Sequence, residues 1–288
     1  YSGKDEPGNF GENLTIDFLI SHGEDSTGLD DQRPAVVLLD LGTRMRACAP
    51  MGHRSAEYTA QAILNFRGSA TIKSLKSNNA PEFNSACRRL DIPSPTSTPY
   101  VSQTNWSVER AIRHVREGTR AVLVQAGLPT KCGPWASVYS RSACNITLKF
   151  DGIVPYERAF DVPCTAKSIQ FGAAIEALLH GLERSAAGKF APASTPCIYA
   201  GWATDPGMKW TGDYLVVPLS ELSGAIPSGD AGTDICPGGG TTSGGLRARR
   251  LKEVAVPEGD WIFRSDRNSS GTATKCSRLR LPPLCLSH

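Results

Sequence analysis

Three oxygen-bearing side chains are spaced so that they could meet at one edge of a sheet. Asp17 is centred in the strand-like LTIDFLI, Asn78 follows the strand-like TIKSLKS, and Glu109 lies near the start of a long amphipathic helix. Phosphodiester chemistry by two metal ions needs carboxylates from separate strands and a helix, and oxygen ligands suit Mg²⁺. Because Asp and Glu are common residues, spacing alone predicts such a site only weakly.

The elements that would position these side chains alternate between strands and helices. The pattern predicts strands over Leu14–Ile20, over Ala35–Met51 (two strands joined around Gly42) and over Thr71–Ser77. It predicts helices from the N-cap Ser55 to about Phe66, over Pro81–Leu90, from about Ser107 to Gly127 and from about Gly133 through Cys144, with a loop over Asp91–Trp106. Hairpin-linked first strands followed by a helical crossover predict a mixed sheet flanked by helices, of the α/β class.

After Phe160 the character of the sequence changes. Lys189–Leu222 reads as several short strands with turns at Asp205–Gly207 and Thr211–Asp213, which favours a small β-barrel or curved sheet. From Ser223 to Gly245 the chain is rich in Gly, Ser and Thr, which predicts a flexible linker before a basic tail. The expected division is a core domain over residues 1–160, a small β-barrel-like domain over 161–222, and a Gly-rich linker with a flexible basic tail over 223–288.

Composition and charge favour a globular protein. Hydrophobic residues are 40% and charged residues 20% of the chain, and the net charge is +3. No apolar run approaches the roughly 20 residues that span a bilayer, so no membrane partner is expected. Residues 1–31 hold eight acids and one Lys, and residues 246–288 hold nine Lys or Arg against four acids. This asymmetry fits a carboxylate site with a polyanion-binding arm, and equally well an uneven solvated surface.

Cysteines and histidines show no metal-binding pattern. The nine cysteines include no C-x-x-C pair, so we expect buried or partly buried thiols in a reducing compartment rather than zinc ligands or disulfides. His53, His114 and His180 are expected to be structural or surface residues. The opening YSGKDEPGNFGEN lacks an initiator Met and the apolar run of a secretory signal, so we expect a processed product or a fragment.

Several longer motifs follow one another in a fixed order. They are DLGTRMRACAPMGHRSAEYTAQAI, IKSLKSNNAPEF, STPYVSQTNWSVERAIRHVREGTRAVLVQAGLP and VPYERAF, and then KFAPASTPCIYAGW and GMKWTGDYLVVPL. The first four resemble the catalytic core of copia-type LTR retrotransposon integrases, and the last two resemble the small β-barrel segment that follows it in the polyprotein. The resemblance covers about residues 10–222. It implies a ribonuclease H-like fold and a DDE-type nucleotidyltransferase that uses Mg²⁺ or Mn²⁺.

The resemblance also implies which residues act, and where this chain departs from the family. Asp17, the second acid of an S-D-N motif, and Glu109 would be the catalytic set that holds two metal ions. In this chain Asn78 stands at the position of the second acid, so the implied metal ligands are Asp17 and Glu109 alone. An amide lacks the negative charge on which magnesium sites rely, so we expect impaired strand transfer unless Asp40 or Glu82 compensates. We expect Asp40 to make a turn bond and Glu82 to favour a helix start.

DNA contacts are implied around the helix that carries Glu109. Arg113, Arg116 and Arg120 lie at i, i+3 and i+7 on its face, where the family grips DNA; the alternative is a solvated face paired with Glu117. Family loop positions that touch DNA correspond to Tyr100, Gln103 and Asn105. A further set in the basic tail would add salt-sensitive affinity: Arg247, Arg249, Arg250 and Lys252. Trp106 replaces a Gly that the family prefers; it would stiffen the loop, stack on a base, or represent drift.

The resemblance therefore implies a retrotransposon integrase-like, DNA-binding polynucleotidyl-transferase domain that is catalytically impaired by Asn78. Its partners would be the DNA of element ends and target, and further copies of itself. It would be intracellular, and nuclear at the time of integration. Two alternatives remain open from sequence: a non-enzymatic scaffold or interaction protein derived from a retroelement, and a metal-dependent nuclease of the same fold.

Overall fold

The computed structural model describes residues 8–20, 28–29, 32–94, 106–147, 152, 154–178, 190, 192–225 and 248–256. Its strands are β1 (Asn13–Ile20), β2 (Pro34–Asp40), β3 (Arg46–Pro50), β4 (Ser74–Ser77), β5 (Ala174–Leu178), β6 (Ser194–Thr204), β7 (Trp210–Pro218), β8 (Arg249–Leu251) and β9 (Val254–Ala255). Its helices are α1 (Ala56–Arg67), α2 (Pro81–Arg89), α3 (Trp106–Ala126), α4 (Gly133–Thr147), α5 (Pro155–Phe160) and α6 (Leu219–Ala225).

The first sheet has the order β3-β2-β1-β4. Strand β2 runs antiparallel to β1. A tight turn after Asp40 then returns the chain, so β3 runs antiparallel to β2. The next strand arrives through α1 and therefore lies parallel to β1. This mixed sheet flanked by helices confirms the predicted α/β class.

Both faces of the first sheet are covered by helices, which is why every residue of β2 is buried. Successive side chains of a strand point to opposite faces. On one face Val36 and Leu38 join the core formed with α1 and α2, which includes Ile63, Phe66 and Phe83. On the other face Val37 and Leu39 pack against Val108, Ala111 and Val115 of α3. Helix α3 is therefore held over β2, and it also contacts β1, the strand that carries Asp17.

The second sheet is antiparallel throughout, with the order β8-β7-β6-β5-β9. Helix α4 lies between the two sheets. Tyr139 of α4 stacks on Trp202 of β6, with ring centroids 5.2 Å apart, and its hydroxyl donates to the carbonyl of Ile169. From another side of α4, Asn145 bonds the backbone of Arg46 in β3. Helix α4 thus contacts both sheets. The predicted domain boundary between residues 160 and 161 stays a prediction.

The second half of the chain departs from the sequence expectations in three places. Leu219–Ala225, predicted as the end of the strand region and the start of the linker, form helix α6. Residues 211–213, predicted as a turn, lie inside β7, where the pairing with β6 shifts register and Gly212 has φ +108°. The glycine therefore serves a bulge. Residues 249–251, expected in a flexible basic tail, form β8. Arg250 pairs with Asp205 at 2.6 Å and also with Asp213, while Arg249 pairs with Glu221, so these two guanidinium groups stabilise the sheet.

The described cysteines have the burial that the sequence predicts. The cysteines in the described ranges are buried or partly buried, namely Cys48, Cys87, Cys132, Cys144, Cys164 and Cys197. Among the helices of the described ranges, none is both long enough and apolar enough to cross a lipid bilayer.

Candidate functional site

The carboxyl ends of β1 and β4 bring two of the predicted site residues together. Asp17 lies on β1, an interior strand of the first sheet, and Asn78 directly follows the parallel neighbour β4. The Asn78 side-chain amide Nδ2 donates a hydrogen bond to Asp17 Oδ1 at 2.8 Å. Two residues that are far apart in sequence thus form one polar pair at the edge of the sheet.

The orientation of the Asn78 amide follows from its partners. An ionised carboxylate only accepts hydrogen bonds, so the NH₂ group of the amide must face Asp17. The amide oxygen then accepts from the backbone N–H of Ala80 at 3.4 Å. The backbone N–H of Phe18 donates to the same Asp17 Oδ1 at 2.8 Å. One carboxylate oxygen of Asp17 therefore accepts two hydrogen bonds from the protein.

Glu109 lies close enough to act on Asp17 electrostatically. It stands exposed in the first turn of α3, the helix that covers this face of the sheet. Burial raises the pKa of Asp17, and the negative charge of Glu109 raises it further. The Phe18 N–H, the Arg54 guanidinium and the Asn78 amide act in the opposite direction on this pKa. Glu109 thus lies within electrostatic range of the hydrogen-bonded pair formed by Asp17 and Asn78.

Arg54 belongs to this edge, although no pattern in the sequence places it there. Its guanidinium carbon lies 4.4 Å from the centroid of the Phe18 ring, and its Nη2 lies 3.1 Å from a carboxylate oxygen of Glu82. Phe18 in turn stacks on Phe83 at 4.3 Å. Arg54 directly precedes the helix N-cap Ser55. Its role could not be predicted from the sequence because its partners lie far away along the chain.

The two acids that were candidates to compensate for Asn78 both have other partners. Asp40 is fully buried, and its Oδ2 accepts from the backbone N–H of Thr43 at 2.9 Å and from the Thr43 hydroxyl. It pairs in register with Leu14, three residues from Asp17 and so about 10 Å away along the strand. Asp40 therefore makes the expected turn bond. Glu82 lies in the first turn of α2, as expected, where it pairs with Arg54.

The donor set at this edge does not fit a two-metal site. It offers two carboxylates and an amide whose NH₂ group, rather than its oxygen, faces Asp17. Divalent ions of the magnesium class rely on charged oxygen ligands. Within the described part of the chain, no three or more His, Cys, Asp and Glu side chains are grouped so that they could hold a metal ion.

The three predicted arginines of α3 are all exposed. Within the described residues, Arg113, Arg116 and Arg120 have no ion-pair partner, which disfavours the alternative of a face neutralised by Glu117. Arg116 and Arg120 line a groove of about 390 Å³ between α3, α4 and the end of β1. Arg33 lines the same groove and was not predicted. The groove is therefore basic along its described walls.

Four other predicted DNA-binding residues have no described position. Tyr100, Gln103 and Asn105 lie outside the described residues, as does Arg247. Trp106 begins α3, and the guanidinium carbon of Arg110 lies 5.3 Å from the centroid of its ring. The Trp106 side chain is 41% exposed, so part of its ring remains open to solvent.

The chain has structural neighbours but no matching family. No family model matches it, and no curated protein does. It is similar to the catalytic core domain of BIV integrase, with 20% identity and a TM-score of 0.40 over 52% of this chain and 95% of that one. It is also similar to a chain in the structure of the simian T-cell lymphotropic virus intasome in complex with PP2A regulatory subunit B56 gamma, with 14% identity and a TM-score of 0.44 over 77% of each chain.

Proposed function

We propose that this chain is a retrotransposon integrase-like, DNA-binding domain whose polynucleotidyl-transferase chemistry is impaired. The ordered motifs support the ancestry, and the mixed sheet with Asp17 on an interior strand supports the fold that they imply. The observation that carries the proposal is the 2.8 Å hydrogen bond from Asn78 to Asp17, at the position where the family has its second acid. The bond supports the proposal because it joins the positions of the family's first two acids, and the second of these positions has lost its charge.

Binding to DNA rests on the exposed face of α3. Arg113, Arg116 and Arg120 extend away from Glu109 along the helix, and Arg33 lines the same groove as Arg116 and Arg120. Guanidinium groups pair well with phosphate oxygens, and such contacts carry no sequence information by themselves. The DNA of element ends and target is the proposed partner. We extend the proposal to self-association on DNA and to an intracellular location, nuclear at the time of integration.

A divalent ion of the kind that the family uses would bind this edge only after the missing carboxylate is restored. Asn78→Asp would return the third acid to the edge shared by Asp17 and Glu109, and Mg²⁺ or Mn²⁺ would then have three charged ligands. We propose that the wild-type chain binds DNA but makes little or no joined product.

The DNA-binding claim is tested by anisotropy titrations of a labelled DNA duplex over a range of salt concentrations. The triple variant R113Q/R116Q/R120Q should bind more weakly than the wild type. Its slope of log affinity against log salt should fall by about 0.9 for each phosphate group that the variant no longer neutralises. The control K73Q/R88Q/R89Q removes the same charge from the part of the chain before α3 and should keep the wild-type slope.

Several outcomes would reject this proposal and favour another function. If the wild type binds no duplex, or if the control variant loses as much affinity as the α3 variant, DNA binding by α3 is wrong. A retroelement-derived scaffold then becomes the better function, and the hydrogen-bonded pair of Asp17 and Asn78 already favours it as the second candidate. Cleavage of DNA without joining would instead support a nuclease of the same fold.

A further inference from the structure

The Asp17 carboxylate is already satisfied by groups of the protein. Its Oδ1 accepts from the Asn78 amide and from the Phe18 N–H, each at 2.8 Å. The guanidinium of Arg54 lies over the adjacent ring and adds a positive charge at the same edge. Hydrogen bonds to a charged acceptor are stronger than those between neutral groups. These two bonds and the Arg54 charge therefore act against burial and Glu109, which together keep the pKa of Asp17 raised.

We propose that the Asn78 amide, which links Asp17 to the backbone N–H of Ala80, has taken the structural place of the divalent ion at this edge. The wild type would then fold fully and bind DNA without Mg²⁺ or Mn²⁺. The inference rests on the proposed function only for the identity of the ion that was replaced. For an ion to enter, the amide would have to rotate and present its oxygen. That rotation breaks its bond to Asp17 and removes the acceptor for the Ala80 N–H.

An Asn-to-Asp change at this position is a clean test because the two side chains have nearly the same size and shape. In Asn78→Asp the donor becomes a second carboxylate facing Asp17 across the present 2.8 Å contact, with Glu109 nearby. Like charges at that range repel unless a cation or a shared proton lies between them. The variant should therefore need a divalent ion that the wild type does not need.

The experiment compares thermal unfolding midpoints in a chelator and in Mn²⁺, at mildly alkaline pH so that no proton is shared. The wild-type midpoint should be the same in both solutions. The N78D midpoint should be lower in chelator by about 2–4 °C and should recover in Mn²⁺. The matched control N79D places the same new charge on the next exposed residue and should show no recovery. N78S removes the amide without adding charge, so its midpoint should fall in both solutions.

Two results would overturn the inference. The first is a Mn²⁺-dependent rise in the wild-type midpoint that equals the rise in N78D and disappears in D17N. The second is equal behaviour of N78D and N79D. Anisotropy titrations of the wild type with the same DNA duplex, in chelator and in Mn²⁺, separate this inference from the proposed function. Loss of DNA binding in both solutions rejects the function, whereas binding that requires Mn²⁺ rejects the amide bridge.

Discussion

At the scale of single residues, Asn145 closes the outer edge of the first sheet. Its Oδ1 accepts from the backbone N–H of Arg46 at 3.0 Å, and its Nδ2 donates to the backbone carbonyl of the same residue at 2.9 Å. The Asn145 side chain is 3% exposed, and β3 is the edge strand of the sheet. An edge strand presents unpaired backbone groups, and here one side chain satisfies both groups of one residue.

Replacing Asn145 with Ala should therefore be costly. Two backbone groups of Arg46 would lose their partner in a site from which water is largely excluded, so we expect the free energy of unfolding to fall by about 2–4 kcal/mol. Denaturant unfolding measures this change. The exposed Asn79→Ala serves as the control and should stay within about 0.5 kcal/mol of the wild type. A destabilisation at Asn145 no larger than that of the control would show that the paired bonds contribute nothing.

Individual residues also show where prediction from sequence ends. The turn bond of Asp40 was predictable because its partner Thr43 lies three positions away, next to a glycine. The role of Arg54 was not predictable, since it depends on Phe18 and Glu82 from other elements. The direction of the Asn78 amide likewise depends on the register of two strands. Local partners are visible in a sequence, and tertiary partners are not.

At the scale of elements, local signals predicted helices α1 to α4 but not α5 and α6, and they predicted the second sheet less well. Ser55 caps α1 by accepting from the backbone N–H of Tyr58 at 3.1 Å, as its position before the apolar repeat indicated. Gly212 looked like a turn residue because glycine favours turns, but it serves a bulge that exists only through pairing with β6. The strand β8 was missed because its three residues are mostly basic and follow a Gly-rich segment.

The close approach of α3 and α4 at Gly118 yields a prediction for a pair of residues. A Cβ at Gly118 would lie 2.1 Å from Ser140 Oγ and 3.3 Å from Ser140 Cβ. Gly118→Ala should therefore destabilise the wild type, although alanine is the better helix former. In a Ser140→Ala background the hydroxyl is gone, so the same change should cost much less.

A double-mutant cycle measured by denaturant unfolding checks this packing. We expect a coupling free energy of about 1 kcal/mol or more between the two positions. Additive effects of Gly118→Ala and Ser140→Ala would contradict the close packing of the two helices at this point.

At the scale of the whole molecule, α4 links the two sheets into one structure. Its Tyr139 is 3% exposed and stacks on Trp202 of the second sheet, while its Asn145 bonds the first. The core of the second sheet also takes side chains from α3, including Leu123 and Ala126. Elements that share a core in this way are expected to unfold together.

Tyr139→Ala should therefore weaken both sheets, and not only the one that Tyr139 contacts. We expect the free energy of unfolding to fall by about 3–5 kcal/mol, because a buried aromatic side chain is removed. Hydrogen–deuterium exchange should show a similar loss of protection in β2 and in β6. The exposed Tyr58→Ala is the control and should change neither. Reduced protection in β6 alone would favour the two separate domains that the sequence suggested around residue 160.

Strand transfer by the Asn78→Asp variant tests the central claim most directly. A labelled DNA end and a target duplex are incubated with Mn²⁺ and with the wild type, N78D or N78D/D17N, and joined product is measured. We predict that the wild type stays at the level of the double variant and that N78D exceeds both, because the third acid again faces Asp17. Joining by the wild type at the level of N78D, or no joining by N78D, would contradict the claim that Asn78 is what impairs this site.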